Sequence, residues 1–478
     1  MALIKRRKVS QPGKAPKRRR PEPDQEADLD TDIWGASEEE ASDEQDEGAV
    51  ETAEEKRLRI AKAYLQQLRA EGAEDSDGGD QLPGGIGAAL RDQALEALGQ
   101  QSRKLADRID STATASTSGR VSRCHWQPAT AVTLTADDSK AYSVCKHGQI
   151  AAVDIETGKW TSFRASSVSK KQAAVTQARD GPEWVKHAAR AAGKAALLAA
   201  AVSDDGQLLA VGGGDRFVHV FDARSHELVK SFPGHRDAVT GLAFRQGTHE
   251  LYSCALDRTV KTWNIDDRTY IDTLFGHQAE VLALDVLRAE RALSTGHDHT
   301  CRVWKIADES QLICRAAGMA LDCCRYVTGT EWLTGSSDGS LALWTQFKKK
   351  PVAIIPHAHA LPSADPSTVA ADTDGAAGVD ARSWIQSVAA AHNSDLAASG
   401  AGNGCIKLWA LRSGKGGRPE KLDDITSIPA PGFVNGLQLA HSGRFVVAAV
   451  GQEPRLGRWG RIAGVRNGVL IHQLSLQD

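Results

Sequence analysis

The chain has 478 residues, with eleven tryptophans, two methionines, 44 glycines and a formal net charge of −3. That length holds two or three average domains or one large closed β domain, and the Gly- and Trp-rich mix favours many short strands joined by tight turns over a helical bundle. There is no N-terminal apolar signal, the longest pure apolar run is "AALLAAAV" at 195–202, and the eight cysteines (Cys124, Cys145, Cys254, Cys301, Cys314, Cys323, Cys324, Cys405) lack CxxC spacing. A reducing, soluble, intracellular protein with no membrane span is expected.

The near-neutral total hides opposed blocks of charge. Residues 1–20 carry nine Lys or Arg and no acid, and residues 21–55 carry sixteen Asp or Glu and no base. Such blocks repel themselves, so residues 1–50 read as a disordered basic-then-acidic tail. Within it, Lys5, Arg6, Arg7 and Lys8 are separated by eight residues from Lys17, Arg18, Arg19 and Arg20. This is bipartite spacing for a nuclear-import carrier, and a solvated basic arm on nucleic acid is the compatible alternative. In "TAEEKRLRIAKAYLQQL", Thr52 and Glu55 fit a capping box, and Leu58, Ala61, Leu65 and Leu68 repeat at helical spacing. Residues 51–110 are thus expected to be a helical extension with a linker at 71–87 and a second helix over 88–109. A Ser/Thr-rich connector, 111–119, follows.

From residue 120 the chain repeats. Gly234-His235 and Gly276-His277 lie 42 residues apart, and Trp263 and Trp304 lie 41 apart. A period of 40–45 with Gly-His near the start and Trp near the end marks WD repeats of a β-propeller. Six residues before each tryptophan position stands Asp257, Asp298 or Asp338, and the same offset joins Asp215 to Phe221, Asn403 to Trp409 and His147 to Val153. Ten residues before it stands Ser143, Ser253, Ser294, Thr334 or Ser399. His235, Ser253, Asp257 and Trp263, and likewise His277, Ser294, Asp298 and Trp304, are expected to form hydrogen-bonded tetrads, because a buried polar network is tolerable only when every member has a partner.

The same offset links Glu453 to Trp459. On that basis "FVVAAVG" (445–451) is the second strand of a seventh copy, fed by "PGFVNGLQLAHSGR" (431–444), and "QEPRLGRW" is its turn and third strand with Trp459 in the core. The tryptophan positions Val153, Phe221, Trp263, Trp304, Trp344, Trp409 and Trp459 predict seven blades over 120–478, with insertions at about 166–194 and 346–382. Both insertions enter the following blade on the face that carries the second-to-third-strand turns, with Arg216, Arg258, His299 and Arg455.

Three patterns resemble catalytic or metal chemistry. His235, Ser253 and Asp257 imitate a hydrolase triad but recur in the next blade, which a single active site would not do. His297, His299 and Cys301 in "GHDHTC" alternate across a turn and strand, so no metal is expected. Adjacent Cys323 and Cys324 read as a strand pair facing opposite sides. The sequence holds no Walker loop, Rossmann fingerprint or paired carboxylates, and it predicts a non-catalytic protein without cofactor or small-molecule substrate.

Basic residues remain. The first insertion carries Lys170, Lys171, Arg179, Lys186, Arg190 and Lys194 against Asp180 and Glu183, and Arg455, Arg458 and Arg461 follow one another at three-residue spacing. Blades one, two and seven are neighbours in a closed ring, so these segments converge on one sector. Phosphate contacts from Arg455, Arg458, Arg461, Lys186, Arg190, Arg216 and Arg258, with Trp184 for stacking, would suit structured RNA.

The segments "ETAEEKRLRIAKAYLQQLR" (51–69), "GHRDAVTGLAFRQGTHELYS" (234–253), "ESQLI" (309–313) and "VGQEPRLGRWGRI" (450–462) resemble the WD-repeat family associated with the U3 small nucleolar RNA. The resemblance runs from about residue 51 to the end, with a similar basic-then-acidic extension. It implies a nucleolar component of the small-subunit processome that recognises the box B/C region of U3 together with a kink-turn-binding protein and other box C/D particle proteins, and that supports pre-rRNA cleavage toward 18S rRNA. By position it makes Arg455, Arg458 and Trp459 the family-matching segment; the stretch between blades one and two matches poorly and is longer here. Two other classes stay open: a peptide- or histone-binding adaptor using the channel rim, and a cullin-ligase substrate receptor, for which "FDAR" (221–224) is a short match.

Overall fold

The computed structural model describes residues 103–117, 119–164, 196–316, 318, 320–359, 383–413, 419–458 and 460–477. The import clusters, the acidic tract, the expected helix at 51–69 and the insertion with Lys186 and Arg190 lie outside the described residues, as does Trp459.

The strands form seven four-stranded antiparallel sheets, as the tryptophan positions predict. In blade three, the inner strand Val239–Phe244 pairs with Glu250–Ala255, which pairs with Thr259–Asn264, which pairs with Thr269–Phe275. Burial follows this order. "VTGLAF" is buried throughout, and the outer "TYIDTLF" is largely exposed. Each inner strand packs against those of both neighbouring blades, so side chains on both of its faces leave water, whereas the rim strand meets solvent. A bulge after the first residue of the inner strand, or after the second in blade seven, recurs in blades one, two, three, four, five and seven, where it bends the strand onto the ring. Cys323 and Cys324 enter the cores on opposite sides of their strand, as their adjacency predicts.

The ring closes through its N-terminus. Arg120–Ser122 is the outer strand of blade seven and pairs with Gly468–Gln473, with Val121 opposite Leu470. Gly468 permits this close approach, because a Cβ there would collide with the Ser122 carbonyl.

Three expectations change. The first concerns the Ser/Thr-rich connector, which contains the helix Ser111–Ser116, while Ala106–Arg108 is a single 3-10 turn instead of the end of a longer helix. Asp110 caps the helix by accepting from the Thr112 and Ala113 amides at 3.0 and 3.1 Å. Thr114 then finds partners in the propeller: its carbonyl accepts from His472 Nε2 at 3.0 Å and its hydroxyl from the Ser475 amide at 3.2 Å. Tertiary partners outweigh the poor helix propensity of Ser and Thr. Upstream, the Leu105 and Ala106 amides donate to Asp395, and Arg103 donates to the His441 and His392 carbonyls, so 103–117 latches onto the face carrying the first-to-second-strand turns of blades six and seven.

The second concerns the 346–382 insertion. Ala353–Ile355 is the fourth strand of blade five, and His359 belongs to the core of blade six. The third concerns blade seven. Its third strand is Gly468–Gln473, not "QEPRLGRW", and His472, opposite Val446, occupies the place that Trp263, opposite Leu251, holds in blade three. Residues 452–467 are a long loop between the second and third strands.

Candidate nucleic-acid interface

Both predicted tetrads form. His235 Nδ1 pairs with Asp257 at 3.0 Å and its Nε2 with Ser253 at 2.8 Å, and Trp263 Nε1 donates to Ser253 at 2.8 Å. In blade four His277 pairs with Asp298 at 2.9 Å and Ser294 at 2.7 Å, and Trp304 donates to Ser294 at 2.8 Å. Burial alone would raise the Asp257 carboxyl, but hydrogen bonds from His235, Thr259 and the Arg236 amide outweigh it and hold the carboxyl well below the usual range. Asp298 is held down in the same way by His277, Thr300 and the Gln278 amide.

Blade six has a third tetrad, with His359 on Ser399 at 2.7 Å and Asn403 at 3.2 Å, and Trp409 on Ser399 at 2.8 Å. Blade one has a partial one, His125 on Ser143 at 2.7 Å. His125 precedes Ser143 by the eighteen residues that separate His235 from Ser253, so counting from the serine would have found it. His359 was hidden because residues 360–382 separate it from its blade. These histidines are structural. Burial pushes both His125 and His359 down to about 4, which keeps them neutral. No group of three or more His, Cys, Asp or Glu is placed to hold a metal among the described residues.

Arg216, Arg258 and His299 sit exposed in the second-to-third-strand turns of blades two, three and four, each with positive φ. The preceding aspartate makes this possible by accepting from the amide two residues on, as Asp257 does from Thr259 at 3.0 Å. These side chains are spread over three blades, so they share a face with the 452–467 loop without forming one cluster with it.

The loop itself is built and pinned. Gln452 accepts from the Ile462 amide at 2.9 Å through its carbonyl, and its side-chain amide donates to the Val465 carbonyl at 2.7 Å. The Gln452 amide donates to Asn467 at 2.9 Å, and Asn467 Nδ2 donates to the Trp126 carbonyl at 3.0 Å. From blade one, Lys146 Nζ donates to the Gly457 carbonyl at 2.8 Å and lies 3.5 Å from Glu453. Burial draws the Lys146 ammonium down, and Glu453 restores it only in part. Glu453 is therefore no tetrad member; it serves Lys146 and stands 3.8 Å from Arg458.

The predicted arginines separate. Arg458 is 79% exposed and Arg461 is exposed, reaching Gln452 at 3.4 Å. Arg455 turns the other way, a correction to its expected place on the surface. Its Nη2 donates to the Thr240 carbonyl and lies 3.4 Å from the Leu282 carbonyl, on the inner strands of blades three and four. Its Nε is buried without a hydrogen-bond partner among the described residues. Burial draws its guanidinium down against the pull of Cys254, Cys323 and Asp322. Asp322, on the inner strand of blade five, is pushed by burial up to about 7 although Arg455 pulls it back. Arg455 thus reaches across to the inner strands of blades three and four.

Two features were missed from sequence. Trp126 is 87% exposed where the chain enters blade one, and Arg466 is exposed beside Asn467, which holds the Trp126 backbone. Arg123 is exposed next to Gly468. An exposed tryptophan tied to the same loop that carries exposed Arg458, Arg461 and Arg466 combines a stacking face with phosphate-binding charge. The clue was a Trp outside the repeat offsets.

Comparison with known proteins bears on this site. The profile of the WD domain, G-beta repeat, matches residues 191–222, 226–264, 268–305 and 379–410. The chain is 40% identical over 466 residues to the U3 snoRNP-associated protein-like EMB2271 of Arabidopsis thaliana, covering 94% of this chain and 92% of that one. It is 37% identical over 424 residues to U3 small nucleolar RNA-interacting protein 2 of Homo sapiens, covering 88% and 82%. The crystal structure of RRP9 WD40 repeats aligns with TM-score 0.65 at 38% identity, covering 77% of this chain and 99% of that one, and the structure of U3-55K with TM-score 0.64 at 38% identity, covering 76% and 100%. The chain belongs to the U3 snoRNP-associated family of WD-repeat proteins.

Proposed function

We propose that this protein is a non-catalytic RNA-binding subunit of the U3 small nucleolar ribonucleoprotein within the small-subunit processome. It recognises the box B/C region of U3 together with a kink-turn-binding protein and supports pre-rRNA processing toward 18S rRNA. It works in the nucleolus, reached through an import carrier that reads Lys5–Lys8 and Lys17–Arg20. Relatives named for U3 association support the particle.

The observation that carries the RNA reading is the pinned loop presenting Arg458, Arg461 and Arg466 beside exposed Trp126. Lys186, Arg190, Arg216 and Arg258 are secondary contacts in this reading. The adaptor reading needs inner-strand groups free for a peptide, whereas Arg455 already engages the Thr240 carbonyl. In "FDAR", Asp222 is engaged in its own turn, accepting from the Arg224 amide at 2.8 Å. Titration of a box B/C hairpin carrying its kink-turn protein tests the function. Arg458→Ala with Arg461→Ala should weaken binding by about 1–3 kcal/mol and lower the salt slope by about two. Unchanged affinity at every salt concentration removes the loop from the interface.

A further inference from the structure

We infer that Arg455 is a positioning residue for RNA binding: it bolts the 452–467 loop to the far side of the ring and itself touches no RNA. The inference rests on the RNA reading above. The loop leaves blade seven, yet the Arg455 guanidinium donates to Thr240 on blade three and lies 3.4 Å from the Leu282 carbonyl on blade four. Inner strands of one sheet normally meet only those of the two flanking sheets. One side chain therefore links blade seven to two blades that it does not adjoin.

Two further pins hold the first part of the loop, where Asn435 Nδ2 donates to the Glu453 carbonyl at 3.0 Å and Lys146 grips Gly457. Arg455 stands between them, three residues before Arg458. The guanidinium is a poor surface contact because withdrawing it would leave two inner-strand carbonyls without their donor. It is a good anchor because a single guanidinium nitrogen, Nη2, reaches both carbonyls at the end of a side chain long enough to cross from blade seven. Its effect on RNA is to keep Arg458 and Arg461 in place before RNA arrives, so that binding does not have to order the loop.

The test compares Arg455→Ala, Arg455→Lys and Arg458→Ala in the full chain. It measures hydrogen exchange of 456–467 without RNA, and affinity for the box B/C hairpin with its kink-turn protein over a range of salt. Arg455→Ala should speed exchange in the loop and leave the other blades protected. If the loop is then in place a tenth of the time, affinity falls about tenfold. The salt slope should stay at the wild-type value, because no phosphate contact is lost, whereas Arg458→Ala lowers it by about one. Arg455→Lys, which keeps the cation, should recover part of the affinity, and it remains informative if the alanine variant fails to fold. A slope lowered by an Arg455 variant, or unchanged exchange and affinity, overturns the inference. Faster exchange in Arg455→Ala with no RNA effect of either it or Arg458→Ala would instead overturn the RNA reading and keep the anchor.

Discussion

At the residue scale, the polar quartets of blades three, four and six are satisfied through a shared serine. Ser253 is the hub of its quartet, bonded to both His235 Nε2 and Trp263 Nε1. Ser253→Ala leaves two buried groups without partners and should cost about 2–4 kcal/mol, read as a lower urea midpoint at unchanged slope. Blade seven shows the other solution: Ala448 stands where blade three has Ser253, and no quartet forms. The histidines give a pH dependence. His125 and His359 are depressed to about 4 by burial, so the stability they contribute is present above the ordinary value near 6.5 and is lost as pH falls through that window toward 4. Each accounts for up to roughly 3 kcal/mol by linkage, and urea midpoints at pH 7 and pH 5 should differ accordingly. A flat profile over that range would show that the imidazoles are hydrated.

At the element scale, the strands were legible because each blade repeats the same apolar-then-exposed order. The loop at 452–467 was not. Offset counting took Glu453 and Trp459 for an Asp–Trp pair, but the third strand "GVLIHQ" has no tryptophan to count from and places His472 in that position. The helix Ser111–Ser116 escaped because its partners, His472 and Ser475, lie more than 350 residues away in sequence. The Arg120–Ser122 strand makes an element-scale prediction. Removing residues 1–124 deletes the outer strand of blade seven and the latch, and should lower the unfolding midpoint by several degrees with loss of hydrogen-exchange protection in Gly468–Gln473. Removing residues 1–102 alone should leave that protection intact.

At the scale of the whole molecule, a closed ring turns distant segments into neighbours. The chain's entry at Trp126, the blade-one turn at Lys146 and the blade-seven loop are more than 300 residues apart at the extremes, yet they form one basic, aromatic sector. Sequence arithmetic placed blades one and seven side by side, but the insertion it set beside the loop lies outside the described residues. It assigned Arg455 to the wrong side of the loop, because the direction of that side chain is set by carbonyls on two other blades. It also passed over Trp126, which the repeat count never touched. The most direct measurement is a map of ultraviolet crosslinks between the protein and bound U3 RNA in the reconstituted particle. The account predicts crosslinks at Trp126 and within 456–467 and none at Arg455. Crosslinks confined to the opposite face, at 103–117 and the first-to-second-strand turns, would contradict it.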